Sequence, residues 1–128
     1  MDLIKSVFVI LLILPTILEA QKTGDSSGAQ VLSQKDLKIY ILTQTKPGGK
    51  LDFFTPIKGI ELNGVQIKPG IFASNREIAL YKWGNACSDL GLNNVDDAYA
   101  IFAEFKNRNL NIPEKTMIKD GFDKKFEK

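Results

Sequence analysis

IELNGVQIKPGIFASNREIAL, residues 60–80, holds the change of hydrophobic period that decides the fold. In its first half, Ile60 and Leu62 alternate with Glu61, and Val65 and Ile67 alternate with Gln66, as in half-buried strands. Asn63-Gly64 stands between these two arms. Both residues tolerate positive φ, so the pair predicts a type I′ hairpin turn there, with Lys68-Pro69-Gly70 closing the hairpin. In the second half the period lengthens. Ser74-Asn75-Arg76-Glu77 has the form of a capping box, with Ala73 and Ile78 at the positions of a hydrophobic staple.

Downstream, the helical period continues. Ala79, Leu80, Trp83, Ala86, Cys87 and Leu90 fall on one stripe, Lys82, Asn85, Ser88 and Asp89 lie opposite, and Gly91 is placed to end the helix. A second helix is expected from Asn94. Asp96 and Asp97 occupy its first turn, and Val95, Ala98, Tyr99, Ile101, Phe102 and Phe105 share its apolar face. Pro113 bounds that helix, and residues 113–128 mix lysines with carboxylates around Met117, Ile118, Phe122 and Phe126. This end could be a short docked third helix or a solvated tail, and a charged, partly helical and loosely held tail is the favoured expectation.

Upstream, the period of two extends back to residue 37. Leu37, Ile39 and Ile41 alternate with Lys38 and Tyr40, and Leu51 and Phe53 alternate with Asp52 and Phe54. Pro47-Gly48 between them meets the needs of a type II turn, which predicts a first hairpin. Gln44-Thr45-Lys46-Pro47-Gly48 resembles Gln66-Ile67-Lys68-Pro69-Gly70, an echo that suits duplicated hairpins. The expected fold is therefore α+β: about four short strands in two hairpins form a small antiparallel sheet, packed against a pair of amphipathic helices over residues 35–112.

Residues 1–20, MDLIKSVFVILLILPTILEA, have a charged start, an apolar run too short to cross a bilayer and a small residue, Ala20, at the end. They predict a cleavable signal peptide, a chain beginning at Gln21, and export to a periplasm or the cell exterior. Residues 21–34, QKTGDSSGAQVLSQ, are small and polar, as in a flexible lead-in. No later apolar run is long enough to span a membrane. Loss of Lys5, Asp2 and Glu19 would leave 16 basic and 13 acidic residues, a balance too mild and too interleaved for a nucleic-acid partner.

One cysteine and no histidine set the chemical limits. A lone thiol cannot form an internal disulfide, so the domain must rest on a hydrophobic core, and a disulfide-free exported chain suits a bacterial envelope. Without histidine, Ser–His–Asp and Cys–His catalysis and Cys/His zinc sites are excluded. Asp89, Asn93, Asn94, Asp96 and Asp97 invite comparison with a calcium loop, but Asn94 and Ala100 stand where an EF-hand needs Gly and Glu; helix capping accounts for them. Cofactors and metals are therefore not expected. Cys87, on the apolar stripe, is expected to be a buried, inert thiol.

Two functional classes remain. The first is a non-catalytic binding module of the bacterial envelope, with another envelope or extracellular protein as its partner. Its expected contact residues are Tyr40, Leu42 and Phe54, which strand alternation sends to the sheet face away from the helices, a face that Phe122 and Phe126 of the carboxy-terminal segment could equally cover. The second is a small exported hydrolase using carboxylates, with Asp52, Glu61 and Glu77 as the conceivable acid and base.

Overall fold

The computed structural model describes residues 32–127. The expected signal peptide (1–20) and all but the last residues of the expected lead-in (21–34) lie outside the described residues. The domain is α+β among the described residues: four α-helices, α1 (Gln34–Thr45), α2 (Asn75–Asp89), α3 (Val95–Lys106) and α4 (Ile112–Phe122), with one antiparallel pair, β1 (Gly64–Lys68) and β2 (Ile71–Ser74). Among the described residues no helix is long and apolar enough to cross a membrane.

Three of the four expected strands are absent among the described residues: only the arm at residues 65–67 lies in a strand, β1, residues 61–62 are in a turn, and β2 was not expected as a strand. Residues 37–41, expected as a strand, belong to α1, and residues 51–54 form turns rather than a second strand. Leu37 and Ile41 are both alternate residues and an i, i+4 pair, so either period can bury them. Ile39 decides between the two: a strand would bury it with them, whereas it is 57% exposed. Thr45 extends the buried row by another four residues. Ser33 starts the helix by accepting a hydrogen bond from the Asp36 N–H, so α1 begins before the expected boundary at residue 35. Gln34 fastens this end to the α2–α3 connection: its side chain donates to the Gly91 carbonyl and accepts from the Asn93 N–H.

Pro47-Gly48 does form its turn. Gly48 has φ of 87°, and the Gly49 N–H donates to the Lys46 carbonyl at 2.9 Å. That turn ends a helix, however, rather than joining two strands. The hairpin is likewise displaced from Asn63-Gly64 to Pro69-Gly70, where Lys68 pairs with Ile71 and Gly70 takes φ of 79°. A Pro-Gly turn matches strand twist poorly, and the register shift between Gln66 and Lys68 absorbs the misfit as a bulge. The two echoing pentads thus close different kinds of element, not duplicated hairpins.

The helices after the hairpin follow the sequence closely. Ser74 and Glu77 make both bonds of the capping box, and Asn94 caps α3 by accepting from the Asp97 N–H. Asn111 and Glu114 form a second capping box at the start of α4. The segment expected to be loosely held is thus a packed helix, with Ile118 fully buried. It lies close against α2: a Cβ on Gly84 would come within 2.2 Å of the Ile118 carbonyl oxygen, and one on Gly121 within 1.9 Å of the Tyr81 carbonyl oxygen. Beyond α4, the 3-10 turn Lys125–Glu127 folds back onto α2. There Phe126 stacks on Tyr81 at 5.3 Å, and the Tyr81 hydroxyl donates to Glu127.

The core forms where these layers meet. Ile41, Trp83, Cys87, Phe102 and Ile118 are at most 2% exposed. Trp83 and Phe102 are in aromatic contact with centroids 5.0 Å apart. The Trp83 indole N–H would be costly to bury alone. It donates to the Thr45 hydroxyl at 2.9 Å, and that hydroxyl donates onward to the Ile41 carbonyl at 2.6 Å.

Candidate functional site

Tyr40, Leu42 and Phe54 do not share a face. At about 100° per helical residue, Tyr40 and Leu42 point about 200° apart. All three are half-buried and pack against the core. Leu42 sits in a shallow cleft between α1 and α3 with Ile39 and Ala100, and Tyr40 lies against the core elsewhere on α1. Among the described residues, several of the exposed large apolar side chains instead lie along residues 60–72, including Leu62 at 76% and Phe72 at 70%.

Phe54 alone among the three enters a substantial cavity. It lines a cleft of about 480 Å³ with Ile57, Leu80, Phe102 and Phe105. Three rings form the floor: Phe54 and Phe102 are 5.3 Å apart, Phe102 and Phe105 are 5.6 Å apart, and Phe54 and Phe105 are 6.3 Å apart. Each ring reaches the cleft for a separate reason. Phe102 and Phe105 are i, i+3 neighbours on the apolar face of α3. Phe54 is turned inward by the loop after α1, which Asp52 organises. One Asp52 oxygen accepts from the backbone N–H groups of Phe54 and Thr55, and the other accepts from Gly48.

Charged groups surround this floor: Lys58, Arg76, Lys106 and Arg108, with Asp52, Glu61 and Glu114. Their pairing is uneven. Burial pushes the Asp52 carboxyl up, but hydrogen bonds from Thr55, Gly48 and Phe54 outweigh it and hold the group at about 2. Glu61 is held below the usual carboxylate range, chiefly by backbone N–H groups including that of Gly59, with Arg76 and Lys58 adding their charges. Glu114 is lowered most by Arg108, whose guanidinium grips both carboxylate oxygens at 2.9 and 2.7 Å. Glu114 also accepts from the Asn111 N–H, so one carboxylate caps α4 and ties the α3–α4 connection to it.

The carboxylates weighed for hydrolysis are thus engaged in structure. Asp52 organises a loop, Glu61 a tight turn and Glu77 the cap of α2. A general acid needs a carboxyl raised towards neutrality; both Asp52 and Glu61 are shifted the other way. Cys87 is fully buried, and desolvation pushes its thiol up to about 12, which leaves negligible thiolate near neutrality.

The sequence did offer signals for this cleft. Phe102 and Phe105 were legible as helix-face residues, and Arg76 as the second residue of α2. Their convergence on Phe54 was hidden because the 51–54 segment reads as a strand. No family model, curated protein or solved structure matches this chain.

Proposed function

We infer that this chain is an exported envelope protein that acts by binding, not by catalysis, and that its partner is another envelope or extracellular protein. The observation that supports binding is the cleft: an apolar floor of three phenylalanine rings within a ring of charge, at a volume typical of ligand pockets. Buried apolar area supplies affinity in such a site, and the rim supplies orientation. Phe54 stays in the contact set from the expected patch, whereas Tyr40 and Leu42 do not line this cleft.

A neutral apolar dye, N-phenyl-1-naphthylamine, tests this directly. Its fluorescence should rise with the folded protein, and Phe105→Ser should abolish the rise while the far-UV circular dichroism is preserved. Phe72→Ser, on the hairpin, should leave the rise intact. No dye response, or a response lost with Phe72→Ser and kept with Phe105→Ser, would contradict the cleft. The export proposal is checked by the mass of the mature protein: a start at Gln21 supports it, and an intact Met1 in a membrane fraction opposes it.

A further inference from the structure

We propose that the cleft takes an apolar side chain of an extended peptide flanked by a carboxylate, and so selects acidic-apolar segments of its partner over basic ones. This rests on the cleft being the binding site. Formal charge at the rim is nearly balanced, with four cations to three carboxylates, so net charge alone decides little. Hydrogen-bonding capacity decides it. Every carboxylate at the rim already accepts from the protein itself: Asp52 from three backbone N–H groups, Glu61 from Gly59, and Glu114 from Arg108 and Asn111.

The cations are differently placed. Only Arg108 is committed, to Glu114 and the Asn109 carbonyl. Among the described residues, the side chains of Lys58, Arg76 and Lys106 donate no hydrogen bond and make no ion pair within 4 Å. Lys106 leans over the Phe105 ring at 6.0 Å, which holds its ammonium beside the apolar floor. A ligand anion would therefore find three uncommitted cationic donors around the rings, whereas of the carboxylates that a ligand cation would meet, Asp52 and Glu114 each already accept three hydrogen bonds and only Glu61, with one, keeps most of its acceptor sites. A peptide suits the surroundings better than a compact small molecule. The chain that leaves the cleft at Ile57 and Lys58 continues with Ile60 and Leu62, which are 45% and 76% exposed, so apolar surface extends along residues 57–62.

Fluorescently labelled, end-blocked pentapeptides provide the test, read by anisotropy: Gly-Asp-Phe-Asp-Gly, Gly-Asn-Phe-Asn-Gly and Gly-Lys-Phe-Lys-Gly. A neutral peptide ending in Phe with a free carboxylate is a fourth arm. The acidic peptide should bind about tenfold or more tightly than the basic one at low salt, with the ratio shrinking in about 0.5 M salt. Arg76→Gln and Lys106→Gln should each weaken the acidic peptide about two- to fivefold and leave the Asn peptide unchanged. Lys82→Gln, exposed on α2, should change neither. Preference for the fourth arm over the acidic peptide would still support the proposal and would place the carboxylate at a chain end. Equal binding of all three flanked peptides overturns the selectivity while the dye-binding cleft stands. Failure of every peptide, with the dye still bound, overturns the peptide as occupant, as does tighter binding of octanoate than of any peptide. Loss of dye and peptide binding together overturns the cleft itself.

Discussion

Gly121→Ala should destabilise the domain, although simple helix propensity predicts the reverse. Alanine is favoured over glycine in a helix interior by about 1 kcal/mol. At this position, however, a Cβ would stand 1.9 Å from the Tyr81 carbonyl oxygen, well inside contact distance. The obstacle is backbone on α2, and the methyl is fixed to backbone on α4, so no rotamer change relieves it. The helices must separate or slide, which loosens Ile118 in the core and strains the Phe126–Tyr81 stack. Overpacking of this kind costs about 1–3 kcal/mol, and the rigid partners put this site at the upper end. Set against the propensity gain, a net loss of about 1–2 kcal/mol follows. For a domain of this size that lowers Tm by about 4–16 °C.

Thermal and urea unfolding followed by circular dichroism would measure the loss. Gly84→Ala, where the Cβ would meet the Ile118 carbonyl oxygen at 2.2 Å, should act in the same direction. The double variant should cost less than the two single losses together, because helices already pushed apart accommodate the second methyl. A Tm equal to or above that of the parent for both single variants would refute the close crossing of α2 and α4.

Three further outcomes follow from the core and the rim. Thr45→Val keeps the volume but leaves the Trp83 N–H without its acceptor, so urea unfolding should show a loss of about 1–3 kcal/mol; an unchanged midpoint would mean the indole is satisfied elsewhere. Asp52 is held at about 2 when folded, against 3.8 for the free group, so the unfolded chain binds its proton first. Its contribution is present above pH 3.8 and falls away as pH drops towards 2, and Asp52→Asn should flatten the urea midpoint against pH across that window. Cys87 should resist a thiol reagent at pH 8 in the native state and react fully in denaturant, and rapid native labelling would contradict its burial.

The helices after residue 74 were legible because several local signals agreed. At α2 the capping box, the staple and the apolar stripe all point one way, as the Asn94 cap and apolar face do at α3. Upstream, the signals conflicted. Residues 37–41 satisfy both periods at Leu37 and Ile41, and the β-branched Ile39 tips a sequence reading towards strand, although helix packing outweighs that preference. Ser33-Gln34-Lys35-Asp36, a serine with an acidic residue three places on, is the local signal that marks a helix start here. Asn63-Gly64 misled for a similar reason. A turn dipeptide fixes a hairpin only if both arms find partners, and here Asn63 instead accepts from the Asn75 N–H through its carbonyl. The candidate site suffered most, because strand alternation placed Tyr40, Leu42 and Phe54 together, and that premise fails once residues 34–45 form a helix.

Binding at the cleft is tested most directly by recording amide 1H–15N spectra while titrating the end-blocked Gly-Asp-Phe-Asp-Gly peptide. Shifts should concentrate at Phe54, Ile57, Arg76, Phe102, Phe105 and Lys106, which line the cleft. Shifts centred on Leu62, Val65 and Phe72 of the hairpin region, or none with either the peptide or N-phenyl-1-naphthylamine up to solubility, would contradict it.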